Sequence, residues 1–171
     1  YHKIKDAKKD IIFNSHLFKL YKKFCPGPIT FILKKNMKSK ISSNATANLK
    51  TVAIRFPSHR IIRSILKHIN FPLAMPSANL SSGLSPVKAD DVFDEFKKKL
   101  KLIIDGGKSK IGIESTVIDL TEKPKILRHG IISAKEIKNL LKTNFSTKKS
   151  KLKSPGMMKR HYSPGIPIIF N

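Results

Sequence analysis

With 171 residues, 40% of them hydrophobic, the chain is long enough for one main domain with a sizeable core. No apolar run approaches the roughly 18 to 20 residues a membrane span needs and no apolar signal segment precedes a cleavage site, so a soluble, cytoplasmic protein without a membrane partner is expected. The single cysteine, Cys25, excludes an internal disulfide and a thiolate metal cluster, while the formal charge of +24, from 35 Lys and Arg against 11 Asp and Glu, raises a polyanionic partner. Lysine is spread through the whole chain among many Ile and Asn residues, which a solvated surface explains as well as a designed basic face.

In chain order, Asn14 and Ser15 can cap a helix running to about Phe24, with Leu17, Phe18, Tyr21 and Phe24 at helical spacing. Pro26-Gly27-Pro28 then stops it. "ITFIL" from Ile29 and "TVAIRF" from Thr51 read as strands, separated by the polar "SSNATAN". From Ser58, Ile61, Ile62, Ile65, Leu66 and Ile69 share one helical face, predicting a helix that docks on a sheet. "FPLAM" reads as a short buried strand, and the turn "AMPSANLSSGLSP" follows it. Ala89, Val92, Phe93, Phe96 and Leu100 mark a further helix, with Asp90 and Asp91 in its first turn and Lys97 to Lys99 near its end, the order that suits the helix dipole. "LIID", "STVIDL" and "KILR" read as strands, and Ser133 with Glu136 opens a last helix by a capping box. Alternating strands and helices predict an α/β domain with a twisted, mixed β-sheet and flanking helices. From about Thr143 to Pro164 the composition turns to Ser, Thr, Lys, Pro and Gly, as in a linker.

No Walker loop, GxGxxG, HExxH or CxxC is present. What remains are polar clusters at strand ends: Arg55 after "TVAI", Ser77 and Asn79 after "FPLAM", Ser115 and Thr116 after "GGKSKIGIE", and Arg128 closing "KILR". Ligands collect at such ends in open α/β sheets, where backbone amides and short side chains are free of the ladder, and a guanidinium fork matches carboxylate or phosphate oxygens. Taken singly, Arg55 and Arg128 read equally as surface arginines, the serine turn as a turn, and "GIEST" as a plain loop with Glu114 solvated. Composition and spacing alone therefore give an α/β domain with a cleft for a small anionic ligand.

In order, "FCPGPITFIL", "TVAIRFPSH", "PLAMPSANLSSGLSP", "IDGGKSKIGIESTVIDL", "ILRHGIIS" and "SPGMMKRHYSP" resemble the YrdC-like L-threonylcarbamoyladenylate synthase family, of the longer type with a linker after the catalytic domain. The resemblance runs from about Phe13 to Pro167. It implies an enzyme, a nucleotidyltransferase that condenses L-threonine, bicarbonate and ATP to threonylcarbamoyl-AMP and pyrophosphate. A downstream complex then transfers the threonylcarbamoyl group to tRNA. The implied fold is a twisted mixed sheet with a concave, positively charged cleft. The implied ATP contacts are Thr51, Asn79, Ser85, Val87, Arg128 and Tyr162, and the implied threonine contacts are Arg55, Ser77 and Ser115. Mg²⁺ is expected with the nucleotide, without a protein ligand for it. On this reading 1–142 is the synthase domain, 143–165 the linker and 166–171 the start of a further domain.

The chain departs from the family pattern at three places. The family's "TxYGL" and "KxR" segments are absent, the linker reads "GMMKRHY" where "GMKYxHY" is usual, and the C-terminal domain of the long type is expected to be missing after Asn171; in addition Val87 stands where a Thr is usual. A fragment of a longer synthase, with reduced or no activity by itself, is the expectation. One alternative is a basic RNA-binding module on the same fold without catalysis. A second is a carbamoyl-transfer domain of the hydrogenase-maturation type, which the "SPGMMKRHYSP" linker argues against.

Overall fold

Four strands form one mixed sheet: β1 (Ile29–Lys34), β2 (Thr51–Arg55), β3 (Thr116–Asp119) and β4 (Lys125–Arg128), in the order β2-β1-β3-β4. The β1–β2 and β3–β4 pairs are antiparallel, and the central β1–β3 pair is parallel. The computed structural model describes residues 1–80 and 83–146, with Lys98 by its backbone alone. It divides into two compact units, whose described parts are 1–74 with 113–146, and 75–80 with 83–112. The sheet belongs to the first unit.

Helix α1 (Ser15–Phe24) starts because Asn14 is extended (φ −143°) and its Oδ1 accepts the Leu17 N–H at 2.9 Å. The same side chain donates from Nδ2 to the Leu120 carbonyl at 2.9 Å, tying the helix start to the end of β3. Helix α2 (Arg60–His68) follows β2, and α4 (Ala134–Leu141) opens with Ser133 and Glu136 satisfying each other's backbone N–H groups. Leu17 and Leu20 of α1 and Ile137 and Leu141 of α4 join Ile29, Phe31, Leu33, Val52, Ile54 and Ile118 in one core. Phe56 completes it, fully buried and edge-on to Tyr21 with ring centroids 4.8 Å apart. Among the described residues no helix is long and apolar enough to cross a membrane.

In the second unit α3 (Ala89–Phe96) is capped by Asp91, whose carboxylate accepts the N–H groups of Val87 (2.9 Å) and Lys88 (3.1 Å). These bonds, the Val87 one foremost, hold its pKa below the usual carboxylate value. The helix stops at Phe96, short of Leu100, because Lys97 turns to φ +48° and begins a 3₁₀ turn, Lys97–Lys99.

Three further expectations are corrected. "FPLAM" and "LIID" are not strands: Phe71, Leu73 and Met75 are exposed, as are Leu102 and Ile104, and neither segment has a ladder partner among the described residues. A strand exists by its inter-strand bonds, and Pro72 and Pro76 lack the N–H such bonds need. Helix α2 also docks less than its apolar face suggests, since Leu66 is buried while Ile61, Ile62 and Ile65 stay half-buried.

Candidate active site at the strand ends

Alternation along β2 turns Val52 and Ile54 into the core and Thr51, Ala53 and Arg55 to the other face. The register then sets Arg55 opposite Thr30 on β1, Thr30 beside Val117 on β3, and Val117 opposite Arg128 on β4. One row across the sheet thus carries an arginine on each edge strand and a threonine hydroxyl between them. Three strand spacings separate the two arginine backbones, about 14 Å, which two long side chains can close from either side.

Arg128 is braced. Its Nε donates to the Ser115 carbonyl at 3.0 Å and its Nη2 to the Ser115 Oγ at 3.0 Å, while Nη1 pairs with the Glu114 carboxylate. Both partners of that pair are largely buried. Glu114 is therefore an ion-pair partner rather than the solvated loop residue its sequence context suggested. The Ser115 Oγ also lies 2.8 Å from the Thr30 Oγ1, so one hydroxyl links the parallel strands β1 and β3 to the guanidinium. The backbone before β3 can sit this close to β4 only because residue 130 is glycine. A Cβ on Gly130 would stand 2.4 Å from the Thr116 nitrogen and 2.5 Å from the Glu114 oxygen.

Arg55 is held at a different point. Its Nε donates to the Gly27 carbonyl at 3.3 Å, in the turn after α1, and the Gly27 N–H donates to the Phe56 carbonyl at 2.9 Å. A side chain at 27 would collide with the Phe24 carbonyl, so the Pro-Gly-Pro turn needs its glycine. Although Arg55 has open surface, removal of its head group from water lowers its pKa first, and the nearby charge of Arg128 lowers it next. Two guanidiniums that oppose one another form a positive field suited to an anion between them. The Cys25 thiol beside them is pushed up to about 12 by burial, against the opposite pull of Arg55, and stays protonated rather than nucleophilic.

The structure thus brings together Arg55, Ser115 and Arg128, and adds Thr30 and Glu114. Thr51 shares the face of Arg55 but lies four residues back along β2, about 13 Å away. Ser77, Asn79, Ser85 and Val87 belong to the second unit. There Asn79 donates from Nδ2 to the carbonyls of Leu80 (2.8 Å) and Gly83 (3.1 Å), and its buried Oδ1 has no hydrogen-bond partner among the described residues. The Leu80 N–H is taken by the Glu95 carboxylate of α3, fixing the serine-rich turn to that helix. Ser77 is exposed, Ser85 is half-buried, and the Val87 carbonyl accepts the Ser109 N–H at 2.7 Å. Tyr162 and the linker motif lie outside the described residues.

Residues 1–130 match the Sua5/YciO/YrdC family model, described as "Telomere recombination", and residues 132–171 match "Threonylcarbamoyl-AMP synthase, C-terminal domain". The chain is 40% identical over 157 residues to a Threonylcarbamoyl-AMP synthase of Pyrococcus abyssi, covering 88% of this chain and 46% of that protein. It is 37% identical over 155 residues to a Threonylcarbamoyl-AMP synthase of Bacillus subtilis, covering 87% and 44%. A crystal structure of P. abyssi Sua5 complexed with L-threonine superposes with a TM-score of 0.86 at 36% identity, covering 95% of this chain and 49% of that one. The chain spans less than half the length of these relatives. With a mixed sheet of this topology, arginines converging from both edges, and matches of this extent, the chain belongs to the Sua5/YciO/YrdC family.

Proposed function

We propose that the chain carries out, or forms part of a protein that carries out, the synthesis of threonylcarbamoyl-AMP from L-threonine, bicarbonate and ATP, with release of pyrophosphate. The observation that carries this reading is the row of Arg55, Thr30 and Arg128 across the sheet, with the Ser115 hydroxyl bridging Thr30 and Arg128, so that two cations flank two hydroxyls. A threonine offers the complementary groups, a carboxylate and a hydroxyl. Among the described residues the terminal nitrogens of Arg55 take no partner, which leaves a fork for the carboxylate. Ser115 accepts from Arg128 and keeps its proton for Thr30 or a substrate oxygen. Arg128 has three of five donors engaged, leaving two for a phosphate.

Chemically the task is positioning. The amine nitrogen of threonine bonds to the bicarbonate carbon as a C–O bond breaks and water leaves, giving a carbamate, and the carbamate oxygen attacks the α-phosphorus of ATP while the bond to pyrophosphate breaks. Fixed cations offset the charge of carboxylate and phosphates and hold the reacting atoms in line. We assign Thr51, Asn79, Ser85, Val87 and Tyr162 to ATP and Ser77 to threonine with Arg55 and Ser115. The unpartnered Oδ1 of Asn79 supports its part, because a buried acceptor gains most from an amine or hydroxyl donor on a nucleotide. Val87 offers its backbone only. Mg²⁺ enters as the counterion of the triphosphate, which suits its preference for phosphate oxygens; among the described residues no group of three His, Cys, Asp or Glu side chains stands ready to hold a metal.

In the same reading the cleft is positively charged, 1–142 is the synthase domain, 143–165 the linker and 166–171 the start of a further domain, and the protein works in the cytoplasm ahead of a complex that modifies tRNA. The test is calorimetric titration with ATP and Mg²⁺, with and without L-threonine and bicarbonate, coupled to a pyrophosphate assay. Threonine binding that Arg55→Ala abolishes, and ATP binding that threonine strengthens, are expected. A folded chain that binds neither ligand overturns the reading.

A further inference from the structure

The two hydroxyls of the arginine row differ in what they can offer a ligand. A hydroxyl has one proton to give and two lone pairs to receive with. The Ser115 Oγ receives from the Arg128 Nη2 at 3.0 Å, since a guanidinium can only donate, and it lies 2.8 Å from the Thr30 Oγ1. The pair holds two protons, and one is spent on the bond between them. One proton is left to offer, and the direction of the shared bond sets which oxygen offers it.

Arg128 fixes that direction. An oxygen that accepts from a cation becomes a stronger donor, and successive bonds in a chain polarise one another in the same sense. Ser115 is only 5% exposed and Arg128 is braced at three nitrogens, so the polarisation is constant and little screened by water. The favoured order runs from Arg128 to Ser115 to Thr30, which leaves the spare proton on half-buried Thr30. Among the described residues Ser115 is the single hydrogen-bond partner of the Thr30 hydroxyl. Directly opposite Thr30 on β2 stands Arg55, with Cβ atoms about 5 Å apart in such a pair, and its guanidinium cannot accept a proton. Two donors side by side call for an anion that both can reach. A carboxylate has about four lone-pair sites, so the Arg55 fork can fill two of them and Thr30 a third.

We propose that Thr30 is a further substrate-binding residue, the last donor of a relay that runs from Arg128 through Ser115 and ends in a hydrogen bond to the amino-acid carboxylate beside Arg55. The inference rests on the synthase reading and deepens it. Having given its proton to Thr30, Ser115 keeps one lone pair and so presents the substrate with an acceptor, which suits an ammonium or hydroxyl donor.

The test is calorimetric titration of L-threonine into the full chain and into Thr30→Val, Thr30→Ser, Ser115→Ala and the Thr30→Val, Ser115→Ala double variant, with the folding of each checked by circular dichroism. Thr30→Val keeps the shape of the side chain and is expected to weaken threonine binding about tenfold, with ATP affinity unchanged, while Thr30→Ser recovers most of the loss. In the Ser115→Ala background the relay is already cut, so Thr30→Val is expected to cost only about threefold more. If the shared bond runs the other way, Ser115 offers the spare proton and Thr30→Val binds threonine as wild type does, which overturns the proposal. So does an equal loss from Thr30→Val in both backgrounds, or a Thr30→Ser variant that binds no better than Thr30→Val. A folded wild type that binds no threonine overturns the synthase reading and this inference with it, whereas normal binding by wild type and Thr30→Val alike overturns this inference alone.

Discussion

Among the described residues Arg128 has three nitrogens engaged by Ser115 and Glu114, whereas Arg55 has one engaged by Gly27. The braced arginine is a fixed charge, and the other a fork still open to a ligand. Arg55→Lys keeps the charge but cannot hold the Gly27 carbonyl and present two parallel donors together. Its threonine affinity is expected to fall on the order of tenfold, and that of Arg55→Ala on the order of a hundredfold, by calorimetry. A lysine variant that binds as wild type would show that charge alone is read there. Glu114→Gln removes the anion beside Arg128, so inorganic pyrophosphate is expected to bind up to about fivefold tighter while turnover falls because Arg128 loses a brace. Weaker pyrophosphate binding in that variant would contradict the electrostatic role. The two arginines and Ser115 were legible in the sequence because each ends or precedes a strand, β-branched at β2 and β3 and with the apolar Ile-Leu pair at β4. Thr30 and Glu114 were not. Thr30 meets Ser115 across 85 residues of chain, and the partner of Glu114 follows from a strand pairing that includes a register shift between Val117 and Ile118.

At the scale of the elements, local chemistry settled what was readable. Asn14 before α1, Ser133 with Glu136 before α4, and the β-branched runs of β1, β2 and β3 carry their own start signals, and the structure has each of them. "FPLAM" and "LIID" carry only apolarity, which does not distinguish a strand from an unpaired segment, because pairing is decided by neighbours distant in sequence. The Ser133–Glu136 box makes a pH prediction. The Ser133 hydroxyl, and then its backbone N–H, lower the pKa of Glu136. A carboxylate lowered in the folded state stabilises above its unfolded value and ceases to as the pH falls through the lowered one. The melting temperature of wild type should therefore exceed that of Glu136→Gln at about pH 6 and converge with it at about pH 3. A gap that stays constant over that range would assign the effect to packing. Gly130→Ala tests the contact that carries the site: a methyl meeting backbone at 2.4 Å forces β4 from Glu114 and Ser115, and a loss of about 1 to 3 kcal/mol by urea denaturation is expected together with weakened threonine binding. A stable variant with intact threonine affinity would show that the close approach is dispensable.

For the whole molecule the governing quantity is the excess of cations, 35 Lys and Arg against 11 Asp and Glu. Two ion pairs are found among the described residues, and one of them, Lys88–Asp90, is a solvated neighbour pair. Salt acts on such a chain with opposite signs: it screens the few attractions that stabilise the fold and the many repulsions that oppose it. With a net charge of +24 the repulsions dominate, so added salt should stabilise the protein. Scanning calorimetry between about 20 mM and 300 mM sodium chloride should show a melting temperature that rises by a few degrees, most steeply at the low end where the screening length is longest. Substituting sulfate at equal ionic strength separates screening from site binding. Screening depends on ionic strength and predicts a similar rise from both salts, whereas occupation of the arginine row by a divalent oxyanion adds a further rise that Arg55→Ala removes. A melting temperature that falls with chloride would mean that attractive pairs outweigh the self-repulsion, and the lysine-rich surface would then have to be organised against the acids rather than left to solvent.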